Sequence, residues 1–339
     1  MGRIQKGSFI ASALCMIMLI LDSKGALSAA SDGLELCIRT AIPSLFPFFV
    51  LSGILVPGIS GRKLPALGKI LKVPPGWESI FLLGCIGGYP VGAQCIAQAY
   101  RSGQLSKSQA QRMLGFCTNC GPSFLFGVVA PLFPHPGYAG VVTLIGIISA
   151  MIVGFLWPVQ EQFLTQTPNI PPVSLPKAVR QAIQSMASVC AWIILGKIIL
   201  HYMDQWILHL LQQPIDVILT GMLELTNGCI ELSNISDLTK RFVAASVIVP
   251  FGGLCVAMQV SSICAEAGLS SKNYLPQKLL QAAIAALIAF AVCIQSFPLL
   301  AAICAGMWIL CKSAVAFRKN MMYNEVRKGG FHHAVPKKD

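Results

Sequence analysis

The sequence is short of charged residues. Asp, Glu, Lys and Arg make up only 11% of the 339 residues, whereas about a quarter is usual for soluble globular domains. Acidic residues are the scarcest, with 13 against 25 basic ones, and 55% of the chain is hydrophobic. This deficit of charge excludes an ordinary soluble domain and predicts that lipid surrounds most of the chain.

Motifs of enzymes and metal sites are also missing. No Gly-rich phosphate loop, His-Glu-x-x-His or Gly-x-Ser-x-Gly motif occurs in a suitable context. The 13 cysteines are scattered through apolar segments, unlike the disulfide framework of a secreted protein. The closest pair, Cys117 and Cys120, lacks the second pair or nearby His of a zinc site, so packing is the favoured interpretation. We therefore expect no enzymatic activity, cofactor or bound metal.

The basic residues lie mainly in short connections and in the tail after Lys312. The net charge of +12 alone would suit nucleic acid, an anionic membrane surface or an anionic substrate. Their placement is typical of cytoplasmic loops that face anionic lipid. We expect contact with the lipid bilayer and none with nucleic acid.

Apolar segments recur from near the first residue to Leu310 and predict an all-α, polytopic membrane protein. We expect about eight transmembrane helices plus two re-entrant hairpins, with both termini cytoplasmic. The first segment, Phe9 to Leu21, resembles a signal peptide, but the many later spans favour a retained helix. The predicted regions are an N-terminal helix with an amphipathic interfacial segment (1–42), a first repeat (43–159), a cytoplasmic linker (160–180), a second repeat (181–312) and a basic cytoplasmic tail (313–339).

Four apolar segments are interrupted by residues that break helices. Segment 80–100 breaks at Gly87 to Gly92 between two basic connections, which predicts a hairpin with both ends inside. Segment 217–232 follows an acidic, external connection and breaks at Thr226 to Gly228. Each predicted hairpin precedes an arginine and a broken helix, interrupted at 119–123 and at 250–253. The repeated order predicts an inverted repeat.

The positive-inside rule places Lys272 and Lys278 in a cytoplasmic connection before a span that starts at Leu279. The same rule is broken by Lys240 and Arg241, which the inverted repeat places outside. A basic residue kept on the unfavoured side suggests contact with substrate instead of lipid.

Broken helices bring half-helix N-termini and free carbonyl groups to the membrane midplane, where they bind anions and cations. The expected substrate-binding residues are Gly87, Gly88, Tyr89, Pro90, Arg112, Asn119, Gly121, Ser123, Glu224, Asn227, Arg241, Gly252 and Gly253. The two arginines either bind carboxylates of the cargo or fix the hairpins, with lipid anchoring as the alternative. Tyr89 either stacks on an aromatic substrate or anchors its hairpin. Glu224 is either an interfacial carboxylate or a site for substrate, proton or sodium.

Three segments carry a resemblance to a known family: Gly84 to Ala93, Arg112 to Phe124 and Glu224 to Gly228. They resemble the sporulation integral membrane proteins called YlbJ or SpoVV, grouped with the nucleoside-recognition (Gate) domain proteins, over about Pro43 to Lys312. The resemblance implies a permease that moves dipicolinic acid from the mother cell across the outer forespore membrane. The short linker and the many cysteines depart from the family pattern and leave another small anion as an alternative cargo.

The residues and the resemblance together predict a secondary transporter for a small anion in a bacterial cell membrane. A nucleoside carrier of the concentrative type and a non-transporting scaffold of the sporulation membrane are the alternatives. The sequence leaves open the coupling ion (proton or sodium), the direction of transport and the oligomeric state, including a homo-oligomer.

Overall fold

The computed structural model describes residues 3–157 and 167–295 of the chain, and all regular structure in them is helical. The helices are α1 (Arg3–Leu21), α2 (Ser23–Leu36), α3 (Ile42–Ile59), α4 (Pro65–Leu71), α5 (Glu78–Gly87), α6 (Val91–Arg101), α7 (Lys107–Cys117), α8 (Pro122–Phe124), α9 (Gly137–Leu156), α10 (Leu175–Trp206), α11 (Ile215–Leu223), α12 (Leu225–Glu231), α13 (Leu238–Phe251), α14 (Gly253–Glu266) and α15 (Tyr274–Cys293). Short π-helical and 3₁₀ turns connect several of them.

Six helical stretches in the described residues are long and apolar enough to cross a membrane: Ser23–Ile59, Lys107–Leu132, Gly137–Leu156, Leu175–Trp206, Leu238–Glu266 and Tyr274–Cys293. The prediction of an all-α, polytopic membrane protein is thereby confirmed. The apolar part of α1, Ser12–Leu21, is shorter. The last predicted span, 299–311, lies outside the described residues, as do the tail 313–339, the end of the first repeat (158–159) and positions 160–166 of the linker.

The stretch from Ser23 to Ile59 is one continuous helical element. No break at Pro43 therefore separates the predicted interfacial segment from the helix that follows it. Proline cannot donate a helical hydrogen bond. Here a π-helical turn, Cys37–Ala41, immediately precedes α3, in which Pro43 occupies the first turn. The N-terminal part of the stretch packs against α10, and Asp22 Oδ2 lies 2.8 Å from His201 Nε2. This part of the chain therefore packs on α10, and its predicted position on the membrane surface stays a prediction.

The first hairpin forms where the sequence predicts it. Helix α5 ends at Gly87 and α6 begins at Val91, with Gly88 as the C-cap of α5 at a φ of +74°. A Cβ atom on Gly84 would lie 1.7 Å from the carbonyl oxygen of Cys117, and one on Gly92 would lie 1.9 Å from the same oxygen. Glycine is required at both positions because the two arms of the hairpin pack directly on the backbone at the end of α7.

The second hairpin, α11 and α12, turns at Glu224, and the predicted break at Thr226 to Gly228 is wrong. Glu224 has extended backbone angles, and its carboxylate accepts a hydrogen bond from the backbone N–H of Asn227 at 2.7 Å, which caps α12. Gly228 lies inside α12, where a Cβ atom would be 2.0 Å from the Cα of Gly221. Gly228 is needed where the two arms of the hairpin touch. Its position in the sequence therefore does not mark the turn.

Each hairpin turn abuts the broken helix that follows it. A Cβ atom on Gly88 would lie 3.0 Å from the backbone nitrogen of Gly121, and one on Gly253 would lie 3.0 Å from that of Leu225. The second break, at Gly252 and Gly253, falls where the sequence predicts it. Three of the long apolar helices separate the hairpins along the chain. If each crosses the bilayer once, the hairpins lie on opposite sides, which is what the predicted inverted repeat requires.

Candidate functional site

A small cavity of about 50 Å³ lies where the interrupted elements meet. Both hairpin turns, the first broken helix and one turn of α14 contribute to its wall, together with α3 and α10. Its lining residues include Gly88, Tyr89, Cys120, Gly121, Ser123, Glu224, Leu225 and Gln259. Both hairpin turns and the first helix break, which lie in separate parts of the sequence, therefore converge on one place.

A larger cavity of about 850 Å³ adjoins the small one and shares Phe49 and Gln259 with it. Helices α3, α6, α10 and α14 and residues 170–173 surround it. Its polar lining consists largely of Gln and Ser side chains, namely Ser52, Gln94, Gln98, Gln181, Gln184, Ser185, Ser188, Gln259 and Ser262. Arg101, Lys177 and Glu266 also line it. Since Arg101 and Lys177 belong to the basic connections, the larger cavity lies toward the predicted cytoplasmic side.

Tyr89 joins the two halves of the molecule at the small cavity. Its hydroxyl group lies 3.2 Å from the carbonyl oxygen of Val249 and 3.1 Å from that of Pro250, just before the second break. A Cβ atom on Gly252 would lie 2.8 Å from Cζ of the tyrosine ring. The hydroxyl therefore anchors the first hairpin to the end of α13, while the ring lines the cavity.

Three polar residues of α15 supply hydrogen-bond partners to backbone groups of the first broken helix, and we call this the repair of that helix. Sequence reasoning did not identify them. Gln277 Oε1 accepts a hydrogen bond from the backbone N–H of Gly115 at 2.8 Å. Lys278 Nζ donates to the carbonyl oxygen of Thr118 at 3.0 Å and to Gln281 Oε1 at 2.6 Å. Backbone groups freed by a break inside a membrane need such partners. A signal was present, because the spacing of the three residues places them on one side of a helix.

The predicted position of Lys278 in a cytoplasmic connection is wrong. Helix α15 begins at Tyr274, ahead of the predicted start at Leu279, and Lys278 is 0% exposed. The positive-inside rule describes basic residues in loops and does not apply to a lysine inside a packed helix. Such a residue is instead a candidate for function.

Asn119 belongs to the same repair. Its side-chain amide donates to the carbonyl oxygen of Phe116 at 2.7 Å, and its Oδ1 accepts from Gln281 Nε2 at 3.2 Å. Asn227, in the second hairpin, donates from Nδ2 to Glu224 Oε2 at 2.8 Å. Both asparagines are buried, and neither lines the cavities described above.

Arg112 binds carbonyl oxygens at helix ends. Its guanidinium donates to Leu71 at 2.6 Å, to Gly154 at 2.7 Å and to Trp157 at 3.0 Å. These acceptors are at the C-terminal ends of α4 and α9, where carbonyl groups lack helical partners. The side chain is buried and is not part of either cavity wall.

Arg241 has a comparable set of partners. It donates to the carbonyl oxygens of Ile235, Ser233 and Leu132, at 2.6 Å, 3.3 Å and 2.7 Å. It thereby connects the end of the second hairpin to the end of the first broken helix. The carbonyl partners of both guanidinium groups favour a role in fixing hairpins and helix ends.

The remaining predicted site residues divide into cavity lining and supporting positions. Gly88, Tyr89, Gly121, Ser123 and Glu224 line the small cavity, and Pro90 lines the larger one. Gly87, Gly252 and Gly253 are buried at the breaks themselves. Gln259 lines both cavities and was not predicted, because an isolated glutamine in an apolar segment gives no distinctive signal.

Comparison with known proteins supports the resemblance seen in the motifs. The chain is 27% identical over 320 residues to the sporulation integral membrane protein YlbJ of Bacillus subtilis, and the match covers 79% of this chain and 78% of that protein. No family model matches the chain. No solved structure matches it. The predicted similarity to YlbJ is confirmed.

Proposed function

We propose that this relative of YlbJ is a permease for a small organic anion, with dipicolinic acid as the leading candidate, in a membrane of the sporulating cell. The name of the relative supports sporulation and the membrane. The choice of dipicolinate follows from the family resemblance. The proposal of transport itself stands on the arrangement of the broken helices.

The observation that carries the proposal is the convergence of both hairpin turns and the first helix break on one buried cavity. Helix ends inside a membrane supply partial charges that hold a polar ligand without a full counter-charge. The backbone of Gly121 precedes the first turn of α8, and Ser123 within α8 also lines the cavity. This feature favours a substrate path over a scaffold, which needs no polar groups at this depth.

The two cavities support a route from one side. The larger cavity has room for a small aromatic dianion, since ligand pockets commonly measure about 300–1,000 Å³. The small cavity, at about 50 Å³, holds little more than ordered water. We infer that substrate enters the larger cavity from the cytoplasmic side and reaches the small one when the hairpins separate. Alternating access by movement of one repeat against the other would supply that separation.

Uptake into proteoliposomes tests the proposal. Purified protein is reconstituted, and entry of labelled dipicolinate is compared with entry of labelled uridine and adenosine. We expect saturable dipicolinate uptake that unlabelled dipicolinate competes and nucleosides do not. Saturable nucleoside uptake without dipicolinate uptake would favour the nucleoside carrier.

A variant at the cavity makes the assay specific. Gln259→Leu removes the polar side chain shared by both cavities, whereas Ser233→Ala alters an exposed residue outside them. We expect the first variant to lower uptake severalfold and the second to leave it unchanged. A folded wild-type protein that transports none of these solutes would favour the scaffold.

A further inference from the structure

The ammonium group of Lys278 lies directly behind the wall of the small cavity. Its Nζ is 5.3 Å from the centroid of the Tyr89 ring, and Tyr89 lines the cavity. The carbonyl group that it binds, that of Thr118, lies in the break of the first broken helix, two residues before Cys120, which lines the cavity as well. Lys278 is therefore a buried basic residue one side chain away from the proposed substrate.

The Lys278 side chain can make both of its observed hydrogen bonds as a neutral amine. An ammonium group has three N–H donors and an amine has two. Among the described residues, two acceptors are present: the Thr118 carbonyl oxygen and Gln281 Oε1. The third donor of the ammonium faces no acceptor among them, and the Tyr89 ring is the nearest group of partial negative charge. Loss of one proton therefore breaks neither hydrogen bond and leaves the helix repair intact.

Among the described residues, 3–157 and 167–295, no carboxylate forms an ion pair with Lys278. The ionisable side chains that act on it electrostatically are Cys120 and Cys85, and Tyr89 faces it through its ring. A thiol and a phenol are neutral at physiological pH. A buried ammonium without a counter-charge is costly, which leaves a place for a charge from outside the protein.

Ionisable groups on the other packed elements face elsewhere. Helix α15 contacts α13, α9 and α7, whose other ionisable side chains are Lys240, Arg241, Tyr138, Lys107, Arg112 and Cys117. Arg112 and Arg241 are bound to helix-end carbonyl groups, and Tyr138 stacks on Phe133. Lys107 and Lys240 lie in the first turns of their helices, and Cys117, a thiol, ends α7. Tyr274 of α15 itself precedes Lys278 by one turn. Glu224 lines the small cavity from the second hairpin and is the rival proton site.

We propose that Lys278 is the proton-binding site of a proton–anion symporter. The proposal rests on the proposed function and names its coupling ion. The lone pair of the amine takes up one proton from water when an anion occupies the cavity beyond Tyr89, and the ammonium returns that proton to water after the anion leaves. The anion supplies the missing counter-charge, so anion and proton bind together more favourably than either does alone.

Reciprocity gives the proposal a measurable consequence. If the anion increases proton affinity, the proton increases anion affinity by the same factor. Dipicolinate should therefore bind wild-type protein more weakly as the pH rises through the range in which Lys278 loses its proton. In Lys278→Arg the charge is permanent, so the affinity should not change with pH over that range.

Proton movement is measured with a pH-sensitive dye trapped inside proteoliposomes, alongside uptake of labelled dipicolinate. For wild type we expect the interior to acidify as dipicolinate enters. Lys278→Gln keeps a side-chain donor for the Thr118 carbonyl group but no basic nitrogen, and we expect loss of the proton signal. Lys278→Arg should bind dipicolinate yet fail to accumulate it against its gradient in response to an imposed pH difference.

Two further variants serve as controls. Lys72 also donates to a helix-end carbonyl group, that of Phe155, and lies over an aromatic ring, but it is not part of either cavity wall. Lys72→Gln should keep the wild-type ratio of protons to anions. Glu224→Gln should keep it as well. Because the ratio is measured per anion transported, a merely structural loss of activity does not change it.

The outcomes separate the two proposals. Dipicolinate uptake without proton movement in wild type overturns the role of Lys278 and leaves the proposed permease standing. That role is likewise overturned if Lys278→Gln keeps the proton signal, or if Glu224→Gln alone loses it. Absence of any anion uptake by folded wild-type protein rejects the permease and with it the coupling. If Lys278→Gln does not fold, a pH-dependent affinity in Lys278→Arg equal to that of wild type overturns the proposal.

Discussion

Gly88 has a φ angle of +74° and lies against the backbone of Gly121. Two separate constraints therefore act on this residue. Its φ of +74° and ψ of −170° lie in a region that essentially only glycine occupies, which disfavours any side chain by about 1–3 kcal/mol. The contact is a second constraint, because the neighbouring atoms belong to the backbone of the first break and cannot rotate away.

We predict that Gly88→Leu abolishes dipicolinate uptake while the protein still inserts into the membrane, because insertion depends on hydropathy summed over many residues. Gly103→Leu is the matched control. Gly103 also has a positive φ, +73°, but an added Cβ atom there would meet nothing within 4 Å, so it has the positive φ without the contact. Wild-type uptake by Gly88→Leu, or an equal loss in both variants, would show that the contact with Gly121 is unimportant.

Arg112 and Arg241 should matter more for stability than for substrate affinity. Each guanidinium binds several carbonyl groups in different directions, which the point charge of lysine cannot reproduce. We predict that Arg112→Lys and Arg241→Lys each lower stability by about 2 kcal/mol and leave the KM for dipicolinate unchanged. Thermal unfolding in detergent and uptake kinetics measure the two effects.

Arg39 provides a comparison for these variants, because its ion pair with Glu35 is exposed. Arg39→Lys should leave both measurements close to wild type, as is usual for exposed pairs. A large rise in KM for Arg241→Lys at unchanged stability would return the residue to the substrate path.

At the scale of the elements, both hairpins depend on close backbone-to-backbone contacts that only glycine allows. In the second hairpin, a Cβ atom on Gly228 would lie 2.0 Å from the Cα of Gly221. In the first, the arms meet the end of α7 at Gly84 and Gly92. Backbone packed against backbone cannot relax by rotation of a side chain, so even one methyl group must separate the helices.

We predict that Gly228→Ala destabilises the protein by about 3 kcal/mol or more, as overpacking in a dense interior does. Gly140 lies in the first turn of α9 with no atom within 4 Å of an added Cβ. Gly140→Ala should therefore raise stability by about 0.5–1 kcal/mol. The unfolding temperatures of the two variants in detergent test the difference, and equal shifts in the two would contradict the close packing of the hairpin arms.

At the scale of the whole molecule, the larger cavity lies toward the basic connections. Ser185 lines this cavity on α10, whereas Gln212 is exposed in the connection between α10 and α11. Because α10 is long enough to span a membrane, the two residues should be accessible from opposite sides.

We predict that, in a background without other cysteines, Ser185→Cys reacts with an impermeant thiol reagent from the cytoplasmic side only, and Gln212→Cys from the external side only. Inverted and right-side-out vesicles provide the two orientations. Dipicolinate should slow the labelling of Ser185→Cys and leave that of Gln212→Cys unchanged. Reaction of both cysteines from the same side would contradict the topology and the inverted repeat together.

The sequence by itself determined the all-α membrane architecture, the first hairpin and the two broken helices. These features follow from long apolar segments and from Gly and Pro, whose effects on the backbone are local. Glu224 marks the limit of this reasoning, because the sequence does not show whether a carboxylate before a helix caps that helix or binds a ligand.

Only the tertiary structure decided which polar groups meet inside the membrane. The Lys278 side chain and the Thr118 carbonyl group are 160 positions apart along the chain, and Arg241 and Leu132 are 109 apart. Their hydrogen bonds depend on how α15 and α13 pack against the first repeat, which no local pattern encodes. The physical reason is the same in each case: a backbone group freed by a break must find a partner where water is absent, and packing alone determines which side chain reaches it.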